Sequence, residues 1–152
     1  MIAHPTTDVL LQDCCRELNE EILPAIADET LRLRLVMTMT VLANAATRAA
    51  HEIAWMRAET SALVDFARSV AGAHPSADLS RALDDVDNGD SDSLHLHDVA
   101  GAYARAGRAF EAGLCAARDA GADELLAGAV ALLRARVDTE KAVMAGYSVV
   151  GR

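Results

Sequence analysis

The run from Leu35 to Met56 constrains the fold of this chain more than any other stretch. Apolar residues recur in it at alternating steps of four and three, which is the spacing of one face of an α-helix. They are Leu35, Met39, Leu42, Ala46, Ala49, Ile53 and Met56. Between Leu35 and Thr47 no residue on any face carries a charge. A helix that is uncharged all round is usually surrounded by protein, so we predict that this run forms the buried central helix of a bundle.

The composition indicates an all-α fold. Hydrophobic residues make up 52% of the chain and aromatic residues only 3%, so the apolar content is mostly alanine, leucine and valine, which suits close-packed helices better than sheets. A length of 152 residues is typical of one self-sufficient domain. We therefore predict, over residues 1–152, a single-domain helical bundle of five or six helices with a long central helix.

Caps and breakers predict where the other helices lie. We expect helices over about residues 7–22, 59–72 and 93–119, a short helix capped by Ser76, and a last helix entered through Asp123. In the last helix one apolar stripe contains Leu126, Val130, Leu133, Val137 and Met144. Three glycines in the helix over 93–119, Gly101, Gly107 and Gly113, predict close approach of a neighbouring helix.

Charge and cysteine usage exclude several classes of protein. The net charge is -9, which argues against nucleic-acid binding because such binding needs a basic surface. Three cysteines, two of them adjacent at Cys14 and Cys15, make no disulfide framework and predict a cytoplasmic protein, with Cys115 in the core. No apolar stretch is long enough for a membrane helix, and the first residues do not resemble a signal peptide.

The stretch "DDVDNGDSDSLHLHD", residues 84–98, has the composition of a metal site. A calcium loop with Gly89 at its sixth position would need an oxygen ligand where Val86 stands and a bidentate glutamate where His95 stands. His95 and His97 are two apart, which on a helix sends them to nearly opposite sides. We therefore predict a solvated loop in which Asp92 or Ser93 caps the next helix, and no metal site.

The other patterns typical of catalytic or cofactor sites are incomplete or missing, so we predict no catalytic residue and no cofactor. The segment "HEIAWMRAE" resembles the histidine-bearing helix of the DinB-like metal-dependent bundles, with His51 at their first ligand, but the His-x-x-x-His pair that completes their site is missing. A phosphate-binding glycine loop, a nucleophile elbow and a dinucleotide fingerprint are also missing from the sequence. Cys14 and Cys15 lie among acids, which raises the pKa of a thiol and makes it a poor nucleophile.

A line of polar residues accompanies the apolar seam of the central helix. It consists of Thr40, Asn44, Thr47 and His51, at steps of four, three and four, and is continued by Trp55. In one interpretation these side chains hydrogen-bond to other helices or to the preceding turn and set helix register. In the other they line a small ligand pocket with Trp55 as its wall.

Several short matches lie in the first third of the chain: His4-Pro5-Thr6, Leu10-Leu11, Glu20-Glu21 and Leu23-Pro24-Ala25. On these the chain resembles a family of small uncharacterised bacterial helical proteins, typically encoded beside aminoglycoside-phosphotransferase-like kinases and acyl-CoA dehydrogenases. The resemblance implies a helical protein that serves as an accessory to a kinase-like enzyme. It implies no catalytic residue.

The sequence therefore favours a non-catalytic helical bundle over an enzyme. Its uncharged helix faces exceed what a small bundle usually hides alone, which predicts protein–protein contacts, as a homodimer or other homo-oligomer or as the accessory subunit of an enzyme. The alternative is a small-molecule-binding or catalytic bundle whose pocket on the central helix contains Thr40, Asn44, Thr47, His51 and Trp55.

Overall fold

Every regular element in the described part of the chain is helical. The computed structural model describes residues 4–89 and 92–144, apart from the side chains of residues 142 and 144. The elements are α1 (Thr7–Glu17), a π-helical turn (Leu18–Ile22), the single turn α2 (Leu23–Ala25), α3 (Glu29–Ala73), α4 (Ala77–Asn88), α5 (Leu96–Asp119) and α6 (Asp123–Met144). The predicted all-α fold with a long central helix is confirmed, and α3 is that helix.

The first helix continues past its predicted end at residue 22. A π-helical turn over Leu18–Ile22 connects α1 directly to α2, which contains Pro24 in its first turn. Proline is tolerated there because the amide groups at the start of a helical turn have no partner within the helix. Thr6 is the N-cap residue of α1, as expected, although its side chain makes no capping hydrogen bond.

The long helix α3 joins two segments that the sequence predicted as separate. It runs for 45 residues from Glu29 to Ala73. Asp28 caps it, because its Oδ1 accepts from the backbone amides of Thr30 at 2.8 Å and Leu31 at 3.0 Å. Neither glycine nor proline interrupts the sequence between the two predicted segments, so the helix continues until Gly72 and Pro75.

The predicted start of α4 agrees with the structure, and the predicted start of α5 does not. The Ser76 cap of α4 is confirmed, since its Oγ accepts from the amide of Leu79 at 3.2 Å. Helix α5 begins at Leu96, later than predicted, with His95 as its N-cap residue. Ser93 lies outside the helix, so the predicted cap at this residue is wrong in its detail.

The chain divides into two compact units. The first consists of Met1–Glu52 with Thr139–Arg152, and the second of Ile53–Asp138. Helix α3 contributes to both, and so does α6. The single-domain organisation stays a prediction.

The second unit contains the hydrophobic core. Four helices contribute buried side chains to this core. These side chains are Leu63, Val64, Phe66, Ala67 and Val70 of α3, Leu79 of α4, Ala106, Ala109, Phe110 and Ala117 of α5, and Ala129 of α6. The Phe66 and Phe110 rings lie with centroids 5.0 Å apart in a tilted pair, an arrangement that aromatic rings favour. Helices α4 and α5 pack against each other.

One of the three glycines of α5 permits close helix packing. A Cβ at Gly113 would lie 3.3 Å from the ring of Phe66 and 3.5 Å from the Cα of Ala67. At Gly107 nothing lies within 4 Å, and at Gly101 the nearest atom belongs to the flexible side chain of Arg105. The prediction of close approach is therefore confirmed for Gly113 and wrong for the other two.

The first unit is much less buried than the sequence predicted. Ala46 is the only side chain that is fully buried among its described residues. The expectation that the uncharged run from Leu35 to Thr47 is enclosed by protein is wrong for the single chain, because Met37 and Val41 are 62% and 55% exposed. The seam itself is half-buried at Leu35, Met39 and Leu42.

Candidate functional site

The polar line on α3 is partly used by the helix itself. Thr40 Oγ1 donates to the carbonyl of Val36 at 2.9 Å, and Thr47 Oγ1 donates to the carbonyl of Ala43 at 3.2 Å. Threonine hydroxyls commonly bond to the preceding turn in this way. The hydrogen bonds of Thr40 and Thr47 thus fit the first interpretation of the polar line, in which the side chains bond to the preceding turn.

The other members of the line lie in different settings. Asn44 is half-buried and His51 is exposed, both in the first unit, whereas Trp55 is half-buried in the second unit. Asn44 makes no hydrogen bond through its side chain within the described residues. A ligand site at these five residues stays a prediction.

The end of the acidic stretch is organised by one serine. Ser93 Oγ accepts from the backbone amide of His95 at 3.2 Å and donates to Asp98 Oδ2 at 2.6 Å. His95 precedes the first turn of α5 and His97 lies within it, and both side chains are exposed. Over residues 4–89 and 92–144 no group of three or more histidine, cysteine, aspartate or glutamate side chains is placed to hold a metal ion.

An exposed apolar stripe follows one side of α3 in the first unit. Leu33, Met37 and Val41 are spaced four residues apart, so they share a helix face, and they are 58%, 62% and 55% exposed. At 100° per residue this face lies opposite the seam that contains Leu35 and Leu42. Sequence reasoning identified the seam and missed the stripe, although the absence of charge between Leu35 and Thr47 was its signal.

The apolar stripe predicted on α6 is exposed in its middle, whereas Leu126 is half-buried and the side chain of Met144 lies outside the described residues. Val130, Leu133 and Val137 are 46%, 42% and 46% exposed, whereas Ala129 is buried. The core side of α6 includes Leu125 and Leu132, with Leu126 also packed against the core. Arg136 of α6 forms an ion pair with Glu59, with 3.5 Å between Nε and Oε1. Its Cζ also lies 5.8 Å from the ring centroid of Tyr103, in a cation–π arrangement.

A groove of about 260 Å³ is the third feature, and it lies wholly within the second unit. Helix α3 contributes Arg57, Thr60, Ser61, Val64 and Arg68 to its lining. The spacing of three, one, three and four places these side chains along one face of the helix. Sequence reasoning missed the groove, because its other walls come from α4, α5 and the segment between them.

The cysteines differ in exposure. Cys15 is half-buried, and its Sγ donates to the carbonyl of Met39 at 3.5 Å. Burial, followed by the neighbouring Cys14 thiol, raises the pKa of Cys15. A raised pKa lowers the fraction of reactive thiolate, which agrees with the expectation that Cys15 is a poor nucleophile. Cys115 is exposed, so its predicted place in the core is wrong.

Comparison with known proteins identified no relatives. No family model matches the chain, nor does any curated protein or solved structure. Within the described residues, none of the helices combines the length and the apolar character needed to cross a membrane. Within the described residues, the two exposed stripes and the groove are surfaces at which another molecule could bind.

Proposed function

We propose that this chain is a non-catalytic helical protein that works through protein–protein contacts, first of all as a homodimer. The observation that carries the proposal is the exposed stripe formed by Leu33, Met37 and Val41. Contiguous apolar surface on a soluble chain marks a contact site more often than isolated apolar residues do. Met37 and Val41 lie in the part of α3 between Leu35 and Thr47, which contains no charged residue.

Burial of the stripe in an interface would contribute a substantial free energy to association. Fully burying a leucine, methionine or valine side chain contributes about 1.5 to 3 kcal/mol relative to leaving it exposed. Three such side chains, each more than half exposed, would stabilise an interface core by several kcal/mol before the cost of association. A second copy of the same helix presents a matching apolar surface, which is the requirement of a two-fold interface.

The exposed stripe on α6 supports the same proposal independently. Val130, Leu133 and Val137 follow steps of three and four, so they lie on one face. The sequence predicted an apolar stripe on this helix. A second apolar surface would also allow a different protein to bind. The resemblance to proteins encoded beside kinase-like enzymes favours such an enzyme as this second partner. A cytoplasmic location, suited to three free thiols, belongs to the proposal.

Size-exclusion chromatography with light scattering at micromolar concentration tests the homodimer. We expect a dimer for the natural chain and a monomer for Met37→Glu, which places a charge in the centre of the stripe. Leu94→Glu is the matched control, because Leu94 is 64% exposed, similar to the 62% of Met37, but lies outside the stripe. A monomeric natural chain would contradict the proposal, as would dissociation of both variants to the same extent.

The alternative function is a small-molecule-binding or catalytic bundle with its pocket on the central helix. It is supported by the half-buried Asn44 amide, which has no side-chain hydrogen bond among the described residues, and by the polar line that Asn44 shares with His51. A ligand screen followed through Trp55 fluorescence tests this alternative, since the chain has one tryptophan. A fluorescence shift that His51→Ala abolishes would favour it over the homodimer function.

A further inference from the structure

The groove of the second unit is lined by both apolar and polar side chains. Its apolar lining includes Val64 of α3, Val86 of α4 and Val99 of α5. Its polar side chains are concentrated along α3, where Arg57, Thr60 and Ser61 lie within little more than one helical turn. A concave surface with an apolar floor and a few convergent polar groups is the usual form of a small-molecule site.

Thr60 makes the groove different from an ordinary surface depression. Its Oγ1 is buried and has no hydrogen-bond partner in the part of the chain that the structure describes. Three other threonines of α3, Thr38, Thr40 and Thr47, each donate to the carbonyl four residues earlier, at 3.0, 2.9 and 3.2 Å. A buried hydroxyl without a partner costs free energy, and a ligand acceptor in the groove would remove that cost.

Arg57 provides an uncompensated positive charge at the same end of the groove. Arg57 has no ion pair within the described residues, whereas Arg68 pairs with Asp87 at 2.7 Å. The two arginines are eleven residues apart, which corresponds to about 16 Å along the helix axis. Among the charged residues that line the groove, Arg68 and Asp87 therefore neutralise each other, and the charge of Arg57 is not neutralised by another lining residue.

We propose that the groove binds a small amphiphilic monoanion, with its carboxylate at Arg57 and Thr60 and its apolar body against Val64 and Val99. A guanidinium and a hydroxyl together are a suitable donor set for a carboxylate. The net charge of -9 repels anions at long range, so the affinity depends on these local contacts. A volume of about 260 Å³ limits the ligand to the size of a short carboxylic acid.

Titration with hexanoate tests the proposal, with amide chemical shifts recorded by NMR on the full chain. We expect saturable shifts at Thr60, Val64 and Val99 with millimolar affinity. Arg57→Gln should weaken binding about tenfold or more, because a charge-assisted hydrogen bond is lost. Thr60→Val keeps the shape of the side chain and should weaken binding about two- to tenfold.

Two controls separate anion binding from general apolar contact. Arg108→Gln makes the same change of charge at an exposed arginine of α5 that does not line the groove, and it should bind hexanoate like the natural chain. Hexan-1-ol has the same apolar body without the carboxylate and should bind at least about tenfold more weakly. Equal binding of the alcohol, equal loss in the Arg108 and Arg57 variants, or no saturable shift at tens of millimolar would each overturn the proposal.

Discussion

Arg105 donates a hydrogen bond from its Nη2 to the carbonyl oxygen of Gly89, the residue that ends α4. The guanidinium lies so close that a Cβ at Gly89 would overlap with it. Gly89 has an ordinary φ of -103°, so a larger residue there meets the movable guanidinium of Arg105 and no backbone restriction. A cation at the C-terminal end of a helix is favourable, and this contact ties α5 to α4.

The Gly89→Ala substitution should therefore destabilise the protein by about 0.5 to 1.5 kcal/mol, because the guanidinium must shift and its hydrogen bond to the Gly89 carbonyl is lost or weakened. Urea denaturation measures the change in the free energy of unfolding. The matched control is Gly107→Ala in α5, where nothing lies within 4 Å of the added Cβ and the gain in helix propensity should stabilise by about 0.5 to 1 kcal/mol. A stabilising effect of both substitutions would contradict the contact.

Leu79 should be the most sensitive leucine of α4. It is 0% exposed and belongs to the core of the second unit, so Leu79→Ala should cost about 2 to 5 kcal/mol through lost burial and the remaining cavity. Leu94→Ala serves for comparison, since Leu94 is 64% exposed, and should change stability by less than about 0.5 kcal/mol. Equal effects in thermal or urea unfolding would show that Leu79 is not enclosed as described.

The carboxyl of Asp8 should have a lowered pKa. A hydrogen bond from the Thr6 side chain, followed by the backbone amides of Asp8 and Val9 and the charge of His51, lowers the pKa of Asp8 below its ordinary value of 3.8, against the opposing effect of desolvation. Its contribution to stability is thus present above pH 3.8 and is lost as the pH falls through the lowered pKa. An NMR titration of the carboxyl carbon measures this pKa, and Thr6→Ala should raise it. An unchanged pKa in that variant would rule out the role of Thr6.

The three thiols should react with a disulfide reagent at two distinct rates. Cys14 and Cys115 are exposed, whereas Cys15 is half-buried and has a raised pKa, which lowers its thiolate fraction at neutral pH. We expect two fast thiols and one slow thiol in the native protein, and three fast thiols in denaturant. Cys15→Ser identifies the slow phase, which should disappear. Loss of a fast phase in this variant would contradict the assignment.

Local signals in the sequence predicted the positions of the helices well. The Ser76 cap, the Asp123 start and the end of α3 near Gly72 and Pro75 all depend on residues within one turn of the helix terminus. The errors at these termini have local causes as well. A π-helical turn bypassed the expected stop before Pro24, and a side-chain network at Ser93 delayed the start of α5.

The faces of the helices were harder to predict. The apolar stripe of α6 contains larger side chains than Ala129, yet Ala129 is buried while Val130 and Val137 are nearly half exposed. The groove likewise depends on side chains that are distant in sequence, such as Thr60, Asp87 and Val99. Periodicity indicates that a face is apolar but not which of two apolar faces meets a neighbour.

The sequence by itself determined that this chain is helical and where most of its helices begin and end, because propensity, capping and chain breakers act over a few residues. Only the tertiary structure decided that Leu33, Met37 and Val41 face outward while the core forms around Phe66, Val70 and Phe110. The physical reason is that burial is a property of neighbours. A helix with apolar residues on several sides buries the side on which other helices fit most closely, as Gly113 fits against Phe66 and Ala67.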